Sequence, residues 1–231
     1  MTTQAVDIGG HQVGPGHPCF IVAEAGVNHN GDIGLARRLV DAAAEAACDA
    51  VKFQSFRTEG FVTPDTPKAD YSLVSTEASE SHFDMLRQLE LSAREHQKLA
   101  EYAGRKAVRF MSSPFEEESA DLLSDIGVPA FKIASGELTN LPLLAHVAQK
   151  GRPMIVSTGM ANLSEVEEAV RTITAAGNTD IVLLHCTSRY PTEPGEANLR
   201  AMRTLSMAFG LPVGYSDHTL GIEVAIAAVA L

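Results

Sequence analysis

The feature that most constrains the fold is an alternation along the chain, in which short apolar runs rich in β-branched and aliphatic residues are separated by longer stretches of helical period. That alternation is the signature of a parallel sheet with crossover helices. Seven runs stand out: Phe20 to Ala25, Ala50 to Phe56, Val108 to Ser112, Ala130 to Ala134, Pro153 to Ser157, Ile181 to Cys186 and Pro212 to Tyr215. All are too apolar for half-exposed strands and read as buried on both faces. Between the first two, Ile33 to Ala47 carries Leu35, Leu39, Val40 and Ala43 at helical spacing, with Arg37, Arg38 and Asp41 elsewhere on the surface. Ser164 and Glu167 read as a capping box for a helix running to about Ala176, with Gly177 as its stop. Val6 to Val13 around Gly9-Gly10 reads as a two-stranded hairpin, a plug for the bottom of a barrel. Arg57 to Ser81, rich in Thr, Pro, Asp and Ser, reads as a long loop over the second strand end.

The expected fold class is therefore α/β, a (β/α)8 TIM-type barrel with about seven of its eight βα units present and an N-terminal hairpin. The 231 residues fall just under the roughly 250 typical of that fold, so one domain, 1–231, incomplete at its C-terminus, is expected. A doubly wound open sheet is the alternative. It would need a glycine-rich first turn, and Gly14-Pro15-Gly16 lacks the third glycine of a dinucleotide fingerprint and precedes its strand.

Composition excludes several classes. With 45% hydrophobic and 20% charged residues the chain is not of the disordered or fibrous kind. A formal net charge of −11 argues against nucleic acid as a partner, while local lysines can still hold a small anion. Cys19, Cys48 and Cys186 are odd in number and far apart, matching neither a disulfide framework nor a CxxC pair, and fit a reducing cytoplasm. The N-terminus lacks a basic region followed by an apolar run, and the longest apolar run, Val224 to Leu231, is too short to span a bilayer. No membrane association is expected.

In a parallel barrel the strand ends point to one face, where chemistry collects. Here those ends carry Glu24 followed by Asn28-His29-Asn30-Gly31, then Lys52 and Gln54, then Ser112-Ser113. Further ends carry Lys132 with Ser135-Gly136-Glu137, Ser157-Thr158-Gly159, His185 through Pro191, and Tyr215 through Thr219. Lys is costly to bury unpaired, so Lys52 and Lys132 need anions beside them. One reading is internal salt bridges with Glu24 and Glu137. Another is that both ammonium groups, with hydroxyls of Ser113, Ser135, Ser157 and Ser216, hold a phosphate and a carboxylate on one small molecule. A third makes one Lys the Schiff-base nucleophile of an aldolase. His218 could be a metal ligand oriented by the adjacent Asp217, against the default of a hydrogen-bonded structural residue, and His29 and His185 carry the same ambiguity. The HExxH and three-histidine zinc patterns are absent.

At these residues the chain resembles the sialic acid synthase family, which includes N-acetylneuraminate, legionaminate and pseudaminate synthases. The matching stretches are Phe20 to Gly31, Val51 to Gln54, Lys132 to Glu137, Ser157 to Met160, Leu184 to Thr187 with Tyr190-Pro191, and Tyr215 to Thr219. The resemblance implies a (β/α)8 barrel followed by a small antifreeze-like domain, absent here, and a cytoplasmic homodimer when the protein is full length. It implies a divalent metal, Mn2+ or Mg2+, held by His218 and a second His beyond Leu231. It assigns phosphoenolpyruvate to Lys52, Gln54, Ser113, Lys132, Ser135, Ser157 and Ser216, and an N-acyl amino sugar to Glu24, Glu137, Ser188 and Tyr190. Glu137, Glu24 and His218 are the catalytic candidates, with Glu137 for proton transfer. Carbon 3 of phosphoenolpyruvate would attack the sugar aldehyde, water would add at carbon 2 and phosphate would leave, giving a nonulosonic acid. Ser188 stands where N-acetylneuraminate synthases often carry Asn, so a legionaminate-type diacylated sugar is an alternative to N-acetylmannosamine. The competing functions are a class I aldolase, a truncated non-catalytic paralogue, and a barrel enzyme that condenses phosphoenolpyruvate with a sugar phosphate.

Overall fold

Val6–Ile8 (β1) and His11–Val13 (β2) pair antiparallel around Gly9 and Gly10. The two glycines have φ of +57 and +87, the left-handed geometry that a two-residue hairpin turn demands, and Val6 and Ile8 are buried. The computed structural model describes residues 4–67 and 81–231. Contacts divide the chain into two units, Ile21–Val128 and Met1–Phe20 with Pro129–Leu231, and the hairpin belongs to the second.

The unit Ile21–Val128 is built on a parallel sheet of Val22–Gly26 (β3), Ala50–Ser55 (β4) and Arg109–Pro114 (β5), in that order. Its helices are Ile33–Glu45 (α1), Thr58–Phe61 (α2), His82–Leu89 (α3), Ala93–Arg105 (α4) and Glu117–Ile126 (α5). Asp32 caps α1 by accepting from the amides of Gly34 and Leu35, and Ser92 with Glu95 forms a capping box on α4. Buried Ala36, Val40 and Ala43 of α1, with Leu99 and Ala103 of α4, form the apolar stripes that hold these helices down. The expected loop from Arg57 to Ser81 begins instead as the short helix α2, because Glu90 accepts from the Thr58 amide and Glu116 from the Arg57 amide, satisfying backbone donors at its start. Residues 68–80 of that stretch lie outside the described residues.

The other unit carries Phe131–Ile133 (β6), Met154–Ser157 (β7), Ile181–Cys186 (β8) and Val213–Ser216 (β9), parallel and in sequence order. Its helices are Leu141–Ala148 (α6), Leu163–Ala175 (α7), Arg200–Phe209 (α8) and Glu223–Ala230 (α9). The expected capping box at Ser164 and Glu167 is corrected: Asn162 caps α7 and Glu165 closes the box. Ser164 donates its own hydroxyl to Asn162 Oδ1 at 2.6 Å. Starting at Leu163 puts Val166, Ala169 and Ile173 on one buried face.

All seven apolar runs are strands, with ends displaced by at most two residues. The expectation that each is buried on both faces holds for β4 to β8 apart from a few half-buried positions and fails for β3 and β9. Val22 and Ala23 are half-buried, Glu24 is exposed, and all of β9 is half-buried. Both are edge strands of their sheets, but so are the buried β5 and β6, so an edge position does not by itself expose a strand. In β3 the register passes from Glu24↔Lys52 to Gly26↔Phe53, leaving Ala25 as the extra residue of a β-bulge. Among the described residues no helix is long and apolar enough to cross a membrane.

Candidate active site

Strand alternation decides which side chains meet in the unit Ile21–Val128. Lys52 and Gln54 point to one face of β4, Phe53 and Ser55 to the other, and the register sets Ser113 beside Gln54 and Ser112 beside Phe53. Lys52 is buried, and its Nζ lies 2.5 Å from Glu24 Oε2 and 3.4 Å from Ser113 Oγ. The internal salt bridge that one of the three readings gave Lys52 is thus formed, while the Glu24 side chain keeps 55% of its exposure and can meet a ligand as well. Gln54 is near: a Cβ placed on Gly26 would sit 3.3 Å from Glu24 Oε1 and 4.0 Å from Gln54 Nε2.

The opposite face carries a group that the sequence reading did not single out. Ser55 Oγ lies 2.8 Å from His96 Nε2 and 2.7 Å from Ser112 Oγ, and all three residues are buried. His96 Nδ1 lies 3.1 Å from the Ser92 carbonyl. A carbonyl only accepts, so Nδ1 carries the proton, Ser55 donates to Nε2, and Ser112 donates to Ser55. Burial pushes the His96 pKa down, in keeping with this neutral ring. His29 is also fully buried: its Nδ1 accepts from the Gly31 amide at 3.0 Å and its Nε2–H has no hydrogen-bond partner. Its pKa is lowered by burial and then by neighbouring His96. The usable signal was His96 standing three and seven positions before buried Leu99 and Ala103 of α4.

In the other unit Lys132, on β6 and buried, donates to Ser157 Oγ at 2.7 Å and to the Ile133 carbonyl at 3.0 Å. Ser135 follows in a 3-10 turn spanning Ser135–Glu137. Its Oγ accepts from the Gly159 amide at 3.0 Å and lies 3.1 Å from Cys186 Sγ. Glu137 accepts from Asn140 Nδ2 at 2.9 Å. Ser216 is the register partner of Cys186 across β8 and β9. Ser188 sits over Gly159, its Oγ 2.7 Å from where a Cβ would stand.

His218 is oriented by the Thr187 carbonyl, which lies 2.8 Å from its Nδ1, and not by Asp217 as expected. Asp217 Oδ1 is turned to the amide and hydroxyl of Thr219, a local turn that adjacent residues form readily. The Thr187 bond puts the proton on Nδ1 and leaves a lone pair on Nε2, the form in which imidazole ligates metals. The Tyr190 ring lies against it, centroids 4.1 Å apart. Among the described residues no three His, Cys, Asp or Glu side chains gather as a ready cation cage, and His218 Nε2 stands as a single nitrogen of fitting chemistry. His185, by contrast, spends its Nε2–H on the Ala197 carbonyl at 2.8 Å. Burial, reinforced by the Asp217 charge, pushes the Tyr215 phenol up to about 12.

The parallel βα order is that of the α/β barrel class, and the likeness to solved structures agrees. N-acetylneuraminic acid (sialic acid) synthetase from Leptospira borgpetersenii, crystallised with citrate, superimposes with a TM-score of 0.87 at 36% identity, over 99% of this chain and 75% of that one. Residues 39–231 match the NeuB family, and the chain belongs to that family. It is 50% identical over 217 residues to the N,N'-diacetyllegionaminic acid synthase of Legionella pneumophila, covering 92% of this chain and 61% of that protein. With the enzyme of the same name from Campylobacter jejuni it shares 48% over 214 residues, 92% of this chain and 64% of the other. The chain thus spans a little over three fifths of these curated relatives.

Proposed function

We propose that this chain carries the anion- and sugar-handling residues of a nonulosonic acid synthase, which joins phosphoenolpyruvate to an N-acyl amino sugar. The observation that carries it is the repeated pairing of a buried strand lysine with a serine hydroxyl, Lys52 with Ser113 and Lys132 with Ser157. Ammonium and hydroxyl donors at that spacing are what a phosphate or carboxylate requires. Gln54, Ser135 and Ser216 join them on the phosphoenolpyruvate. Glu24, Glu137, Ser188 and Tyr190 serve the sugar. The chemistry is C–C bond formation from carbon 3 of phosphoenolpyruvate to the sugar aldehyde, with water added at carbon 2 and phosphate lost.

The proteins of Legionella and Campylobacter at about half identity, and Ser188 in place of Asn, favour a diacylated, legionaminate-type sugar. A divalent cation, Mn2+ or Mg2+, bound through His218 Nε2 would supply Lewis acidity toward the aldehyde. The Thr187 carbonyl and the Tyr190 ring hold that imidazole in place. Glu137, oriented by Asn140, holds the proton exchanged with the sugar oxygen. A cytoplasmic homodimer is part of the same reading. Lys52 held against Glu24 as an ammonium opposes imine chemistry, which needs the free amine.

Incubation of the enzyme with phosphoenolpyruvate, each amino sugar and metal tests this. Phosphate release that depends on the diacylated sugar, with no borohydride-trapped adduct, is expected. A stable reduced adduct at Lys52 or Lys132 would establish the aldolase instead.

A further inference from the structure

Cys186 has no part in the reaction just described, yet its thiol stands beside one of the assigned hydroxyls. A serine hydroxyl has one proton to give and two lone pairs to fill. On Ser135 Oγ one lone pair is taken by the Gly159 amide at 3.0 Å, and Cys186 Sγ lies on it at 3.1 Å. Sulfur accepts weakly whereas a hydroxyl oxygen accepts well, so the favourable direction runs from S–H to Oγ. Both lone pairs are then filled from within the protein, and the only group left to Ser135 is its proton.

The geometry around the thiol is tight. Cys186 is 5% exposed, and a Cβ on Gly159 would collide with its sulfur and lie 2.8 Å from its carbonyl oxygen. Glycine at 159 is what lets the β7 end approach closely enough for its amide to reach Ser135. Cys186 is fixed to β8 by its register with β9, so the sulfur has little room to turn elsewhere.

Resting on the anion-binding reading of Ser135, we propose that Cys186 is a positioning residue for the phosphoenolpyruvate site. Its S–H and the Gly159 N–H together saturate the acceptor side of Ser135 and turn the hydroxyl proton toward the bound anion. A hydroxyl so constrained is a dedicated donor, which favours an anionic ligand over a neutral or cationic one.

The test is a set of variants of the intact enzyme, with phosphoenolpyruvate Kd by calorimetry and steady-state kinetics. Cys186→Ala is expected to raise the Kd about threefold to tenfold, with KM for phosphoenolpyruvate rising more than kcat falls. Cys186→Ser, which keeps a donor, is expected to restore the Kd to within about twofold of the parent. Ser135→Ala is expected to raise the Kd about tenfold, and adding Cys186→Ala to it to cost nothing more, because the thiol acts through that hydroxyl. Should Cys186→Ala fail to fold, Cys186→Val removes the donor while keeping volume and takes its place. An unchanged Kd in Ser135→Ala would overturn the anion reading of Ser135 and this proposal with it. A weakened Ser135→Ala beside an unaffected Cys186→Ala, a Cys186→Ser no better than Cys186→Ala, or additive effects would overturn the positioning role alone.

Discussion

Two polar groups, one in each unit, differ in how completely they satisfy themselves. In the unit Ile21–Val128, Ser112 donates to Ser55, Ser55 to His96 and His96 to the Ser92 carbonyl, so every proton has an internal acceptor. In the other unit, Ser135 accepts from the Gly159 amide and lies 3.1 Å from the Cys186 thiol, and with the thiol donating as proposed it still has a proton to give. The closed group is buried throughout, whereas Ser135 is only half-buried. A buried network with nothing left to offer supports its strands. One that keeps a donor has a group left to offer a ligand, as proposed for Ser135. His218 is also left incomplete, but with an acceptor: its Nδ1 is committed to Thr187 and its Nε2 lone pair is kept.

The largest effect that would break this contrast concerns His218. Replacing it by Ala should lower turnover by about a hundredfold or more, since loss of a Lewis acid costs several kcal/mol of transition-state stabilisation, while phosphoenolpyruvate still binds in calorimetry. Turnover that persists in metal-stripped buffer would move His218 to the structural kind. Next in size, Lys52→Met or Lys132→Met should each raise the Kd for phosphoenolpyruvate by about tenfold or more. Unaltered binding would return both lysines to a structural role.

Smaller still is the expected cost of opening the closed group. Ser55→Ala removes the hydroxyl that both Ser112 Oγ and His96 Nε2 meet and should lower the unfolding free energy by about 1 kcal/mol in denaturant titration, with phosphoenolpyruvate affinity changed less than about threefold. A large loss of affinity with unchanged stability would erase the distinction.

The pH dependence gives the finest probe. Burial holds both His29 and His96 below the ordinary value of 6.5, so below that pH the unfolded chain binds protons that the native chain does not. Their contribution to stability is therefore fully present above pH 6.5 and falls away as the pH drops from there toward the lowered native values. Thermal unfolding followed downward from neutral pH should show this decline, and His96→Gln should make it shallower. An equal decline in that variant would exclude His96 as a source.

The strands were legible because each is a compact apolar run, and the lysines because a charge inside such a run has to be answered. What escaped depends on backbone atoms and on neighbours distant in sequence. Asp217 adjoins His218 in the chain, but the partner is a carbonyl 31 residues earlier, and every residue has a carbonyl. Asn162 and Glu165 fit the helix-start pattern as well as Ser164 and Glu167 do, and only the burial of Val166, Ala169 and Ile173 selects between them. Ser112 and Ser113 look alike in sequence, yet alternation sends one to His96 and the other to Lys52. β3 and β9 read as fully buried because their composition records apolar character and not what packs against each position.

The bulge at Ala25 makes chain length matter where chemistry does not. After the Glu24 pairing with Lys52, one residue is spent before pairing resumes between Gly26 and Phe53. Deleting Ala25 would let the ladder run on without interruption while dragging Val27 through Gly31 one position toward the strand, and with them the Gly31 backbone, which packs directly on the Gln88 carbonyl. Substitutions at position 25 act on a single buried methyl group, but an insertion or deletion there would rephase a whole loop, so this point of the chain should tolerate changes of letter far better than changes of count.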